Sequence, residues 1–483
     1  MIEFKNVSFS YEGQRDGLKE INLTIEDGEC VLFCGRSGCG KTSMTRLVNG
    51  LIPNFYRGEL KGEVLLDGQN INELPMYQIS EKVGSVFQNP RTQFFNMDTD
   101  SEIAFGIENE AWPRDKIVER VQQTAKDLHI ENLLGRNIFQ LSGGEKQKIA
   151  FASVYAMNPK IYLLDEPSSN LDMKSIHELK EHLTLVKSMN KTILIAEHRL
   201  YYLMDLVDRI VYMEEGRIKK IYTPDELREL PDEERQKMGL RSVNLSAERI
   251  EANSSSSGQE ILNVKDVSLF YKKVPVLEHI DFQASQGEVI AIAGTNGSGK
   301  TTFSRALCGL HKEKKGSIER KGSSKNSYMV MQDVNYQLFA ESVEAECSFG
   351  IKDPDQNLVE ETLKDLALYS LKDRHPNTLS GGQKQRVAVA VSMICKKDLL
   401  VFDEPTSGLD YDSMNFIVAV VRKLSAAGKL IFVVTHDYEF VCRSCHRILN
   451  FADGSLQDDF FVTKENQDRM KQIFSINDIK ERK

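Results

Sequence analysis

One ten-residue sentence is written twice in this chain: "LSGGEKQKIA" from Leu141 to Ala150 and "LSGGQKQRVA" from Leu379 to Ala388. The repeat extends well beyond it. "VSFSYEG" returns as "VSLFYKK", "GECVLFCGRSGCGKTS" as "GEVIAIAGTNGSGKTT", and "IYLLDEPSSNLD" as "LLVFDEPTSGLD". The spacings match as well: Ser142 to Asp165 and Ser380 to Asp403 are both 23 positions, and Asp165 to His198 and Asp403 to His436 are both 33. A chain of 483 residues exceeds the size at which a single core keeps growing, and an internal repeat of this length predicts two copies of one domain. The first is expected over residues 1–235 and the second over 259–483. Between them, 236–258 carries four consecutive serines and reads as a flexible tether.

The copies differ most between the lysine of "GKT" and the next shared glutamine. This is 47 positions from Lys41 to Gln88 and 32 from Lys300 to Gln332, so about one hairpin's worth of chain is expected to be missing from the second copy. Runs such as "CVLFCG", "IYLLD", "TILIAE" and "LIFVVTH" are apolar at nearly every position. They suit strands buried on both faces of a largely parallel sheet. Alternation with helical stretches makes each copy an α/β domain, and "DSEIAFGIENEAWPRDKIVERVQQTAKDLHI" reads as a helical insert between two strands.

Composition narrows the function classes. The net charge of -9 argues against a surface built to hold nucleic acid. No run of about 18 apolar residues could span a bilayer, and the opening "MIEFKNVSFSYEG" lacks signal-peptide order. A cytosolic chain is expected. Its eight cysteines are then expected as free thiols. "CRSCH", Cys442 to His446, fits a haem-attachment pattern but reads as a chance pairing on a helix.

"GRSGCGKT" (Gly35 to Thr42) and "GTNGSGKT" (Gly294 to Thr301) both fit G-x-x-x-x-G-K-[ST] between a strand and a helix. Glycines permit the positive φ values that turn backbone N–H groups inward, and the following helix adds its positive end. Two phosphate cradles are therefore expected. Lys41 and Lys300 would reach the β and γ phosphates of a nucleotide, and Thr42 and Thr301 would offer hydroxyls to Mg²⁺. Gly35, Ser37, Gly38, Gly40 and Ser43 complete the first cradle; Gly294, Asn296, Gly297, Gly299 and Thr302 complete the second. Cys39 lies inside the first, either as a small residue that fits the loop or as a redox switch. Asp165 and Asp403 end apolar strands, where they would help to hold Mg²⁺. Glu166 and Glu404 follow, placed for a base that orients water on the γ phosphate. His198 and His436 each follow a further strand at matched spacing, in reach of a γ-phosphate contact.

P-loop, glutamine loop, "LSGG", "DEP", "LD" loop and histidine together resemble the nucleotide-binding domains of ATP-binding cassette proteins over nearly the whole chain. The resemblance implies two tandem P-loop domains, each with a mixed or parallel sheet core and a helical subdomain, using ATP and Mg²⁺. It implies that the "LSGG" turn of each copy closes over ATP held by the other. Site one would join Lys41, Thr42, Gln88, Asp165, Glu166 and His198 to Ser380 and Gly382. Site two would join Lys300, Thr301, Gln332, Asp403, Glu404 and His436 to Ser142 and Gly144. Gln88 and Gln332 would also face Mg²⁺, Asp172 and Asp410 would pass between the sites, and Tyr11 and Tyr271 would stack on adenine. Three departures stand out: Glu145 in place of the usual glutamine, Lys148 where the second copy has Arg386, and Glu197 before the first histidine. None removes a catalytic group, so two hydrolytically competent sites are expected, equal or not.

"NGLIPNFYRGELKGEVLLDG" and "FQNPRTQFFNMDTDSEIAFGIEN" further resemble the ATPases of energy-coupling factor transporters, and "MQDVNYQLFAESVEAECSFG" echoes the second of them. This resemblance implies peripheral attachment to the cytoplasmic face of the membrane. The partners would be a transmembrane scaffold subunit and a small substrate-binding membrane subunit that import a vitamin or a transition metal. The alternative is a soluble tandem ATPase acting on ribosomes.

Overall fold

The structure is a computed structural model that describes residues 1–13, 17–251, 258–321, 327–351 and 353–476. Two compact units emerge: residues 1–244 with 410–412, and 245–409 with 413–483.

In the first unit, strands β1 (Ile2–Tyr11) and β2 (Gly17–Ile25) lead to β3 (Cys30–Cys34) and helix α1 (Lys41–Val48). Then come α2 (Leu51–Asn54), β4 (Gly58–Leu66), β5 (Gln69–Asn70), α3 (Met76–Lys82) and β6 (Val83–Val86). The expected helical insert is present as α4 (Thr99–Asn109) and α5 (Arg114–Asp127), followed by α6 (Gly143–Met157) and β7 (Ile161–Asp165). Helix α7 (Met173–Ser188), β8 (Thr192–Ala196), β9 (Arg209–Glu214), β10 (Arg217–Tyr222), α8 (Pro224–Glu229) and α9 (Asp232–Lys237) complete the unit.

Six strands form one sheet in the order β10-β9-β3-β8-β7-β6, parallel except for the β9–β10 pair, and β2-β1-β4-β5 form an antiparallel sheet. The continuous apolar runs have a direct cause in strand alternation. In β3, Cys30, Leu32 and Cys34 enter one core, while Val31 and Phe33 enter another on the opposite face. Tyr162 and Leu164 against Ile161 and Leu163 repeat this in β7. Because β3, β6, β7 and β8 are parallel, their C-terminal ends share one edge, where ligands of open α/β sheets bind.

The second unit repeats the plan with β11 (Glu260–Tyr271), β12 (Val274–Ser285), β13 (Val289–Ala293), α10 (Lys300–Leu307), β14 (Lys315–Arg320) and β15 (Ser327–Val330). Its helical insert holds α11 (Val343–Ser348) and α12 (Gln356–Asp365), then α13 (Gly381–Ile394), β16 (Leu399–Asp403) and α14 (Tyr411–Ala426). β17 (Leu430–Val434), α15 (Tyr438–Ser444), β18 (Arg447–Ala452), β19 (Ser455–Phe461) and α16 (Gln467–Ile473) follow. The sheet order, β15-β16-β17-β13-β18-β19, is that of the first unit with strands renumbered.

Two expectations are corrected. The segment lacking a counterpart between β14 and β15, among the described residues, is more than a hairpin: in the first unit β5 folds back antiparallel on β4, and helix α3 follows it. Seven residues with one buried side chain, Ile79, are too few to write a helical stripe into the sequence. The tether also begins later than residue 236. Leu240 is buried in the core of the first unit, and its carbonyl accepts the Arg235 guanidinium at 3.2 Å. The serines that suggested a tether fall within 252–257, outside the described residues.

Candidate functional site

Each cradle is a glycine-dependent turn between the first central strand and its helix. Gly35 and Gly294 have φ of 141° and 137°, and a Cβ there would lie 2.2 Å from the carbonyl oxygen of Met213 or Phe451. Gly40 and Gly299 are left-handed N-caps of α1 and α10. Only glycine meets both demands without strain. The Lys41 ammonium donates to the Gly35 and Arg36 carbonyls at 3.0 and 3.1 Å, and Lys300 to those of Gly294 and Thr295 at 2.7 and 2.8 Å. The two loops are thus matched in backbone and in lysine placement. Ser37, Gly38 and Ser43, like Asn296, Gly297 and Thr302, sit in or just after these turns.

Strand ends bring the remaining groups to the same edge. In the first unit the Thr42 hydroxyl donates to Asp165 Oδ1 at 3.0 Å, Gln88 Nε2 donates to Glu166 Oε2 at 2.6 Å, and His198 Nε2 lies 3.4 Å from Glu166 Oε1. In the second, Thr301 hydrogen-bonds Asp403, and His436 Nε2 lies 3.5 Å from Glu404 Oε1. Gln332 follows β15 as Gln88 follows β6. Both glutamates adopt the left-handed conformation, φ 46° and 49°, which costs a non-glycine residue about 1–3 kcal/mol. Their amides are anchored across the sheet, Glu166 N–H to the Ala196 carbonyl at 2.8 Å and Glu404 N–H to that of Val434 at 2.9 Å. The sharp turn is what swings each carboxylate toward the histidine that follows the neighbouring strand.

Electrostatics separate the paired carboxylates of the first unit. Burial pushes Asp165 up to about 6, with the Glu166 charge adding to it, and burial pushes Asp403 up to about 6 against the pull of Lys300, Arg305 and Thr301. Burial also works to raise Glu166, but the His198 hydrogen bond and charge and the Lys41 ammonium outweigh it, and the carboxyl ends below its usual range. In the first unit the Asp165 carboxylate with the Thr42 hydroxyl, and Gln88 held on the adjacent Glu166, supply oxygen donors of the kind that fits Mg²⁺. Bound there, the cation would keep the aspartate ionised and offset phosphate charge.

The "LSGG" turns are not members of these clusters. Ser142 and Ser380 are exposed N-caps of α6 and α13, and Gly144 and Gly382 lie in the first turns that follow. Each serine forms a capping box with the third helical residue. Glu145 accepts the Ser142 N–H and its hydroxyl, both at 2.8 Å, while Gln383 Oε1 accepts the Ser380 N–H at 2.9 Å. The departure at 145 therefore keeps the cap but adds a negative charge beside the serine.

The expected adenine partners differ. The Tyr11 hydroxyl lies 3.0 Å from Ser43 Oγ and accepts from Arg46 at 3.1 Å, and its ring meets Phe9 and Tyr56 edge-on. Tyr271 is 65% exposed. Cys39 is 4% exposed, and burial raises its thiol despite Lys41, which describes a packed loop residue rather than a reactive thiolate. Cys442 and Cys445 are fully buried, and His446 Nδ1 accepts the Val289 N–H at 3.0 Å, so "CRSCH" is core structure.

Sequence reasoning missed the bracing of the glutamine loops. Gln93 Oε1 accepts the Phe87 N–H at 3.3 Å, and Gln337 Oε1 accepts that of Met331 at 3.1 Å. Behind them, buried Glu102 accepts the Phe95 and Asn96 N–H groups at 3.0 and 2.8 Å, and buried Glu346 accepts those of Phe339 and Ala340 at 2.7 Å each. The shared five-place spacing of the second glutamine was a signal for the first brace; nothing local marked the glutamates.

Fold and site define a tandem P-loop nucleotide hydrolase. The family model described as ABC transporter matches residues 18–169 and 277–407. A Treponema denticola protein with a provisional name as an ABC transporter ATP-binding protein is 49% identical over 98% of this chain and 99% of its own length. An Enterococcus faecalis protein with the same provisional name is 32% identical over 95% and 90%. The solved structure of an RNase-L inhibitor, 24% identical, superposes with a TM-score of 0.68 over 97% of this chain and 92% of that one, which reflects the shared fold. The chain belongs to the ABC transporter family and carries two of its ATPase domains, which bind ATP with Mg²⁺ and hydrolyse it.

Proposed function

We propose that this chain is the ATP-hydrolysing subunit of an energy-coupling factor type importer of a micronutrient. Lys41 and Lys300 hold the β and γ phosphates, Thr42, Gln88, Asp165 and Thr301, Gln332, Asp403 face Mg²⁺, and Tyr11 and Tyr271 contact adenine. Glu166 and Glu404 orient the attacking water, and His198 and His436 contact the γ phosphate. The "LSGG" serines cap the γ phosphate of the opposite half, so ATP favours closure by differential contact and hydrolysis releases it.

The observation that carries the transport reading is an apolar groove of about 310 Å³ in the first unit, beside the braced glutamine loop. Helix α3 supplies Met76 and Ile79, α4 supplies Phe105, α6 supplies Val154 and Met157, and the loop supplies Phe95. Phe95 is 75% exposed, and Met97, two residues on, and Tyr77, next to Met76 of α3, are exposed as well. Exposed apolar surface of this kind marks a partner site, and we assign it to a cytoplasmic helix of the scaffold subunit. Among the described residues no helix is long and apolar enough to cross a membrane. Purification from detergent-solubilised membranes tests the assignment. Two hydrophobic membrane partners, released by Phe95→Ser, are expected; co-purification with ribosomal RNA instead overturns it.

A further inference from the structure

The residue before the catalytic-loop histidine is a carboxylate in one half and a hydroxyl in the other: Glu197, 2% exposed, and Thr435, fully buried. Glu197 accepts three hydrogen bonds. Its Oε1 takes the Ser168 hydroxyl and the Tyr202 hydroxyl, the latter at 3.2 Å, and its Oε2 takes the His198 N–H at 2.9 Å. Ser168 stands two residues past Glu166, in the turn closed by the Ser169 N–H to the Glu166 carbonyl at 3.2 Å. One buried carboxylate therefore ties the turn that carries the water-orienting glutamate to the loop that carries the histidine.

The second unit makes the same tie with a different residue. Thr406, the counterpart of Ser168, donates its hydroxyl to Asp437 Oδ2 at 2.8 Å, and the Asp437 N–H donates to the Thr435 hydroxyl at 3.0 Å. Asp437 follows its histidine, whereas Glu197 precedes its own. The first-unit counterpart of Asp437 is Arg199, which is buried and donates to the Ser168 and Leu171 carbonyls at 3.3 Å each. The carboxylate has changed sides of the histidine, yet the gap between glutamate and histidine is kept, 3.4 Å in one half and 3.5 Å in the other.

We propose that Glu197 is the positioning residue of the first hydrolytic centre, performing from before His198 what Asp437 performs from after His436. This rests on the roles assigned above to Glu166 and His198. Glu197 touches no substrate; it fixes the separation of the two groups that do.

The test uses the full chain carrying Glu404→Gln, so that turnover reports the first centre. E197T is expected to lower kcat at least about tenfold with the KM for ATP within about twofold, the signature of lost transition-state geometry rather than lost binding. E197T/R199D, which rebuilds the arrangement of the second unit, is expected to recover most of that kcat. E197Q keeps an acceptor for Ser168 but presents an amide to the His198 N–H, and is expected to fall between the two. An unchanged kcat in E197T, or a loss that R199D does not repair while ATP binding is intact, overturns the proposal. Should E197T fail to bind ATP, E197Q decides: wild-type kcat overturns the proposal and a reduced kcat at normal KM supports it. Full turnover by E166Q in the same background would instead overturn the assignment of the base.

Discussion

The two halves match at the cradle lysine, the strand-end aspartate and the glutamate–histidine pair, and differ in what surrounds them. Both place lysine on the same two carbonyls of the cradle, threonine on the strand-end aspartate, and a left-handed glutamate about 3.5 Å from histidine. They differ at the serine caps, where Glu145 stands against Gln383, at Tyr11 and Tyr271, and at helix α3, which walls the groove of the first unit and has no counterpart among the described residues of the second. Divergence thus reaches the caps, the aromatics, the groove wall and, beside the histidine, the exchange of Glu197 for Asp437, while the lysine, aspartate and glutamate–histidine spacings are held.

The sharpest way to break this comparison is at the glutamates. Glu166→Gln and Glu404→Gln are each expected to slow hydrolysis of their own site at least about 100-fold, measured as phosphate release with trapped nucleotide located by peptide mapping. A normal rate at the site of either change ends the equivalence of the centres. At the groove, Phe95→Ala is expected to cost about 2 kcal/mol of affinity for the detergent-solubilised membrane partners, and Phe339→Ala, whose unit lacks α3, distinctly less. Equal losses would show that α3 does not distinguish the two surfaces.

The strand-end aspartates carry a pH signature. Asp403 titrates near 6 when folded and near 3.8 in the reference state, so ionising it disfavours the fold. The penalty grows as pH rises from about 4 through 6 and is complete above. In EDTA without nucleotide, Asp403→Asn is therefore expected to gain stability relative to wild type by up to roughly 3 kcal/mol between pH 4 and pH 8 in denaturant titrations. A difference that does not change with pH contradicts the buried-charge account. The smallest effect is expected at Glu145. Removing its charge with Glu145→Gln should raise ATP affinity at the site holding Lys300 about fivefold, roughly 1 kcal/mol, with the gain shrinking in high salt. No change, or a gain at the other site, breaks the pairing of caps with nucleotides.

The sequence wrote the local part of this structure openly. Glycine spacing around Lys41 and Lys300, apolar runs ending in Asp165 and Asp403, and histidines at matched distances are legible in the sequence, and parallel strands, which gather their C-termini, bring these positions to one edge of each sheet. What it hid was either short or non-local. Helix α3 has only Ile79 to announce it. The link from Ser168 to Glu197 and that from Glu102 to the Phe95 amide join positions whose hydrogen bonds exist only once separate elements have folded together. Likewise Leu240, three residues past α9, is buried in a core drawn from residues between Cys30 and Leu227, which no local pattern beside the serines announces.

The central claim, that each half completes the other's nucleotide site, is tested most directly by blocking one serine turn at a time and asking which half traps nucleotide. With photoreactive ATP, Mg²⁺ and vanadate, Ser380→Arg is expected to abolish labelling of peptides from the first unit, around Tyr11 and Lys41, and to spare those of the second. Ser142→Arg should give the mirror result. Loss of label from the half that carries the substitution would contradict the account.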